Sequence, residues 1–215
     1  PKNNNHCWPE VVPDMARSLG TLTSPFAFMA FMFPVCADAA LVDRGGGLVY
    51  DADRNITWLA NANYGAGSPQ DDGFSTTDGF MTWQSAVTWA ANLSYFDIVR
   101  ATTYTDWRLP TTSQPDPACS QQEGGGAFSA GANCTGSELG HMFYEELGGT
   151  AFGSITGSSD PDLALFSNLI GDGYWSDTSF DATFAWVFNY GYGLQAADNK
   201  GLGWDTSKVN VNGGA

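Results

Sequence analysis

Apolar positions recur at the helical period in two stretches of this chain and alternate at period two in several others. Between Met81 and Leu93 (MTWQSAVTWAANL), Trp83, Ala86, Val87, Ala90 and Leu93 share one face, and Thr82 stands where a helix is capped, so the pattern predicts a packed helix. From Ser137 to Gly149 (SELGHMFYEELGG), Leu139, Met142, Phe143 and Leu147 form a second stripe. Thr135 and Glu138 have capping-box spacing there, and Gly148-Gly149 supply the stop. Between the helices Trp107 and Leu109 alternate with Asp106 and Arg108 until Pro110 ends the run, the pattern of a short strand leaving a sheet edge. Strands are also expected at LVYD and ITWLA around a polar turn, and where Phe184, Trp186 and Phe188 alternate as one inward face. Trp83, Trp107, Leu139, Met142 and Phe143 are expected to meet in one interior.

The first forty residues have a different character. Arg17 precedes an apolar stretch, Pro25 to Val35 (PFAFMAFMFPV), and Ala37-Asp38-Ala39 follows with the small-x-small pattern of a cleavage site. We therefore read residues 15–39 as an export signal, residues 1–14 as a flank with no assigned role, and residues 40–215 as one domain. A membrane helix needs about 20 apolar residues; this stretch is shorter and broken by Pro25 and Pro34, so no membrane insertion after cleavage is expected. A secreted, periplasmic or cell-surface location follows. In such a compartment Cys119 and Cys134, which bracket a loop rich in Gly, Ala and Ser and lack CxxC spacing, are read as a structural disulfide.

The chain is strongly acidic, with 23 Asp and Glu against 8 Lys and Arg and a formal charge of −15. A surface of that sign repels phosphate backbones and anionic lipid, which excludes nucleic acid as a partner and disfavours polyanionic glycans.

Taken in order, the segments Leu41 to Tyr64, Met81 to Leu93, DWRLPT (Asp106 to Thr111), Ser137 to Gly149, Gly173 to Phe180 and Phe184 to Gly193 resemble the Lcl C-terminal domain family, found at the end of a bacterial collagen-like adhesin. That family is related to the C-type-lectin-like fold also used by formylglycine-generating enzymes. The resemblance implies an α+β domain in which two helices flank small, irregular antiparallel sheets with long loops. It also implies a non-catalytic module that binds an extracellular glycan or protein. The enzyme relatives bring an alternative, copper-type oxidation through paired cysteines, although here Cys119 and Cys134 have the look of a staple. Family members close with a strand of the type WAVR, whereas this chain ends GWDTSKVNVNGGA. A missing last strand would leave a C-terminal sheet edge open to self-association, and hence to a self-assembling surface or filament protein.

Candidate chemistry is sparse. Asp51-x-Asp53-x-Asn55 begins like an EF-hand loop but has Ile56 and Ala62 where Gly and Glu are required, so it reads as a turn. Gln114-Pro115-Asp116 matches a tripeptide with which galactose-type C-type lectins hold calcium, making Gln114 and Asp116 calcium candidates; Asp71, Asp72 and Asp78 in a Gly-rich loop are others. No other cofactor is expected. His141 and Glu145 lie one helical turn apart, the spacing of an acid–base pair, yet no nucleophile accompanies them and a structural histidine is the reading. Asn189, Tyr190, Tyr192, Gln195 and Asn199 combine aromatic faces with amides, which suits a glycan or peptide ligand.

Overall fold

The computed structural model describes residues 41–72 and 75–201 and the backbone of Trp204 and Asp205. These residues belong to one compact unit, Ala40–Ala215. The expected export signal lies outside the described residues. Among those described, no helix is long and apolar enough to cross a membrane.

The chain opens with an antiparallel meander, β1 (Leu41–Gly45), β2 (Leu48–Asp51) and β3 (Ile56–Leu59). β4 (Phe80–Met81) leads into α1 (Trp83–Asn92). Two small hairpins follow, β5 (Tyr95–Asp97) with β6 (Thr102–Tyr104), and β7 (Gln121–Glu123) with β8 (Phe128–Ala130). α2 (Glu138–His141) passes directly into a π-helical turn, Met142–Glu146, and two 3₁₀ turns, Ile155–Gly157 and Pro161–Leu165, occupy the next stretch. A second meander, β9 (Gly173–Ser179), β10 (Phe184–Asn189) and β11 (Leu194–Asn199), completes the main framework, and β12 (Trp204–Asp205) pairs back with β4. The result is an α+β protein, mostly strand, with two short helices and small antiparallel sheets. A short last strand is thus present at Trp204–Asp205, and among the described residues it pairs with β4 and not with the β9–β10–β11 sheet.

The helix over Met81 to Leu93 forms as expected, with its inner face made by Ala86, Trp89 and Ala90. Trp83 and Val87 are half-buried. Trp83 is covered by the Lys200 ammonium, 4.3 Å from its ring centroid, and its indole donates to the Ser176 carbonyl. Thr82 is the cap residue, but Asp72, from the preceding loop, accepts from the Thr82 backbone N–H and from the Thr82 and Ser85 hydroxyls.

DWRLPT is not a strand. Trp107 and Leu109 are buried and Asp106 is exposed, as alternation requires, yet the segment joins no sheet. Its polar groups are held individually. The Pro110 carbonyl accepts from Asp177 N–H, Thr112 N–H donates to the Thr178 hydroxyl, and Thr111 N–H donates to the Glu138 carboxylate. Arg108 forks onto the same carboxylate at 2.6 and 2.9 Å. Glu138 is therefore used across the chain and not in a capping box with Thr135; the cap position is Ser137, whose hydroxyl donates to Gln195 and accepts from Ser113 N–H.

The five core residues expected to share one interior divide between two clusters. Leu139, Met142 and Phe143 join Val49, Trp58, Tyr174, Phe188 and Tyr190, with the disulfide on the same side. Trp107 joins Leu48, Leu59, Met81, Trp89, Trp175 and Val187, with Trp83 against its border. The strands explain the division, because neighbouring residues point to opposite faces. Tyr174 and Trp175, Val187 and Phe188, and Val49 and Leu48 each place one side chain in each cluster. The sheets are thus apolar on both faces. A register shift between Ala185 and Val187, where β10 meets β9, breaks the alternation expected of Phe184, Trp186 and Phe188. Trp186 and Phe188 are buried, whereas Phe184 is exposed.

Cys119 and Cys134 form the disulfide, with Cα atoms 4.1 Å apart. α2 rests directly on it: a Cβ at Gly140 would overlap the Cys134 carbonyl oxygen, so only glycine lets the helix approach. Backbone bonds between Gly131 and Gln195 tie the stapled hairpin to β11.

Two outcomes are expected. Replacing Cys119 and Cys134 with serine frees a loop of 15-residue separation and should lower stability by about 3 kcal/mol in urea titration under non-reducing conditions. Arg108→Ala leaves the Glu138 carboxylate half-satisfied beside Thr111 and should cost about 2 kcal/mol. The further loss on adding Glu138→Gln should be much smaller than the loss Glu138→Gln causes alone, a coupling that a double-mutant cycle reads directly.

Candidate functional site

Most of the residues the sequence marks for ligands are built into the scaffold. Gln114 exchanges two hydrogen bonds with the Ser129 backbone. Asp116 is buried and accepts from Ala118 N–H and Gly136 N–H. Asp72 serves the start of α1, and Asp78 accepts from Phe80 N–H. Asp71 is buried, and one of its oxygens accepts from Gly67 and Gly79 N–H. Its other oxygen, the Asn63 amide oxygen and the Ser68 hydroxyl are buried in the same loop without a hydrogen-bond partner. Of the C-terminal set, Tyr190 is buried with its hydroxyl on the Leu139 carbonyl. Gln195 is buried between Ser137 and Ser129. Asn189 and Asn199 accept from Gly191 and Gly201 N–H in turns. Tyr192 alone of the five is strongly exposed, at 59%.

Tyr192 lies in the turn that joins β10 to β11, and its carbonyl accepts from Phe152 N–H at 2.7 Å. Phe152 is more exposed still, at 73%. It occupies a turn closed by Gly153 N–H to the Thr150 carbonyl, with a φ of 63° that a bulky L-residue rarely adopts. The same loop opens into a cleft of about 380 Å³ lined by Gly148, Gly149, Thr150, Gly153, Ser154 and Ser158, with Gly157 and Ser159 completing it. No carboxylate or basic side chain lines it. Phe152 sits between the lining residues Thr150 and Gly153 in the chain, and hydroxyls and accessible backbone with an exposed aromatic residue in the same loop can hold a polar ligand with an apolar face. Nothing in the spacing of the chain singled out Phe152; its one sequence signal is an aromatic residue set among glycines, GGTAFG.

A second constellation lies beneath the surface. His141 ends α2 and Glu146 ends the π turn, and His141 Nε2 is 2.9 Å from Glu146 Oε1. Asp51, fully buried at the end of β2, completes the group: one donor atom from each of the three residues lies within 4.8 Å of the others. The acid expected to face His141 was Glu145, one α-helical turn on. Glu145 is instead exposed. In the π turn Leu147 N–H bonds to the Met142 carbonyl, five residues back, and this wider winding stacks residues five apart, which brings Glu146 onto His141. Burial, with Asp51, Asp53, Asp162 and Glu145 around it, pushes the Glu146 carboxyl up to about 7. Burial and the nearby Arg54 pull His141 below the usual imidazole range.

No protein-family model, no curated protein and no solved structure matches this chain.

Because Phe152 holds a left-handed backbone conformation with little burial in return, Phe152→Gly should leave the protein as stable or about 0.5 kcal/mol more stable. Equilibrium urea unfolding measures this. A clear destabilisation would show that the ring supports the fold.

Proposed function

We propose that this chain is an exported, non-catalytic binding module of C-type-lectin-like type that recognises a neutral glycan at the cleft beside Phe152 and Tyr192. The observation that carries the reading is the exposed, conformationally costly Phe152, set in the loop that lines a cleft of hydroxyl and backbone groups and joined through its backbone to the exposed Tyr192. Carbohydrate rings have an apolar face that packs on aromatic side chains and a rim of hydroxyls that pair with hydroxyls and backbone. The formal charge of −15 favours an uncharged ligand over a polyanion. The α+β architecture of two short helices on small antiparallel sheets, stapled by Cys119 and Cys134, supports the lectin-type assignment.

A second reading, a protein partner, draws on a different surface. The tip of the β5–β6 hairpin exposes Phe96, Ile98 and Val99, while Asp97 between them is buried and paired with Arg100. Apolar side chains grouped in this way are common at protein contacts.

Full-length protein screened on a neutral-glycan array should bind at least one class. Tyr192→Ala and Phe152→Ala should each weaken binding about tenfold with the fold intact by circular dichroism. No carboxylate lines the cleft, so binding in EDTA should equal binding in calcium. Retention of full affinity in both variants, or silence of the array, would remove the glycan reading and leave the Phe96 hairpin as the surface to pursue.

A further inference from the structure

We infer that Asp51, His141 and Glu146 form a binding site for a first-row transition dication, with zinc as its natural probe. Three observations converge. The donor atoms, one imidazole nitrogen and two carboxylate oxygens, lie within 4.8 Å of one another, so sub-ångström to ångström adjustments bring them to the separations that a common ion imposes. The ligand directions are already held. Asp51 accepts from Arg54 N–H at 2.9 Å and from the Trp58 indole at 3.3 Å, and such outer bonds orient a metal ligand. The third observation is charge. Asp51 and Glu146 are 0% and 5% exposed, and among the described residues no Lys or Arg nitrogen forms an ion pair with either.

Two buried carboxylates facing one imidazole are an expensive arrangement unless something positive joins them. Arg54, whose charge acts on His141, directs its guanidinium to the carbonyls of Thr135 and Gly136. Asp53, Glu145 and Asp162 add further negative potential at Glu146. A dication between the three donors would balance this.

The donor set also selects the ion. Calcium and magnesium prefer all-oxygen shells, whereas one nitrogen and two carboxylate oxygens suit zinc, manganese or iron. The residues come from β2, from α2 and from the π turn, so the ion would brace the first meander against the helical segment. Asp116, Cys119 and Cys134 also lie close together, but their sulfurs are joined in the disulfide and offer no thiolate. The site is independent of the glycan cleft.

The test uses the full chain carrying Cys7→Ser and Cys36→Ser, so that no sulfur outside the described residues can compete for the ion. Zinc titrated into chelator-stripped protein should bind at one site removed by substitution and raise the melting temperature by about 5 °C at 100-fold excess over Kd. Calcium should not. Cobalt in place of zinc reports its ligands through visible absorbance, and His141→Gln should alter that spectrum. Glu146→Gln keeps the shape of the side chain and a hydrogen bond to His141, so it tests the ligand with little risk to the fold. Both substitutions should weaken zinc at least tenfold, whereas Asp78→Asn should leave it unchanged. Absence of a zinc-dependent shift, or equal zinc affinity in both variants, overturns the site.

Discussion

The Glu138 carboxylate is the point on which the two halves of the framework turn. It receives both arms of Arg108 and the backbone N–H of Thr111, and the Glu138 N–H returns a bond to the Thr111 carbonyl. A segment with no sheet of its own is fixed in this way against the first turn of α2. From there Pro110 and Thr112 pass the connection to β9. Charge-assisted, two-pronged bonds of this kind are directional as well as strong, so they set an angle between elements where hydrophobic contact would set only a distance. Trp107 and Leu109 can then enter one cluster while α2 fills the other.

That division shows how far the pattern of apolar residues reached. Periodicity located α1, the stripe Leu139, Met142, Phe143 and Leu147, and the strands around the Asp51 turn, because each depends on neighbours within a few residues. It did not reveal that the strands carry apolar side chains on both faces. Alternation reports which residues share a face, and it cannot assign two apolar faces to two separate interiors. It also read DWRLPT as a strand, since an extended chain alternates whether or not another strand lies beside it. What decides that question is the destination of the backbone polar groups, here Glu138, Asp177 and Thr178, which are remote in sequence.

The same limit governs the site residues. Amides and carboxylates marked for ligands were largely claimed by the fold itself: Gln114 by the Ser129 backbone, Asp116 by Gly136 N–H, Gln195 by the Ser137 hydroxyl and the Ser129 carbonyl. In a chain with long loops and little regular structure, side chains supply the hydrogen bonds that ladders supply elsewhere. Composition therefore overstates the polar groups left for a partner. Of the C-terminal set Tyr192 keeps its side chain outward, and its neighbour Phe152 was hidden from any pattern because the two are joined only through the folded backbone.

The π turn from Met142 to Glu146 also bears on how this region tolerates change in length. Such a turn holds one residue more than the α-helix it interrupts. Deleting a single position there would let the coil tighten to ordinary pitch without breaking the chain's path. The residues after the deletion would keep their facing, because an acid four places along an α-helix stands over the imidazole much as one five places along the π turn does, so Glu146 and Leu147 would hold their places. Winding and spacing offset one another in this short stretch, so the buried acid would go on facing its histidine without the extra residue.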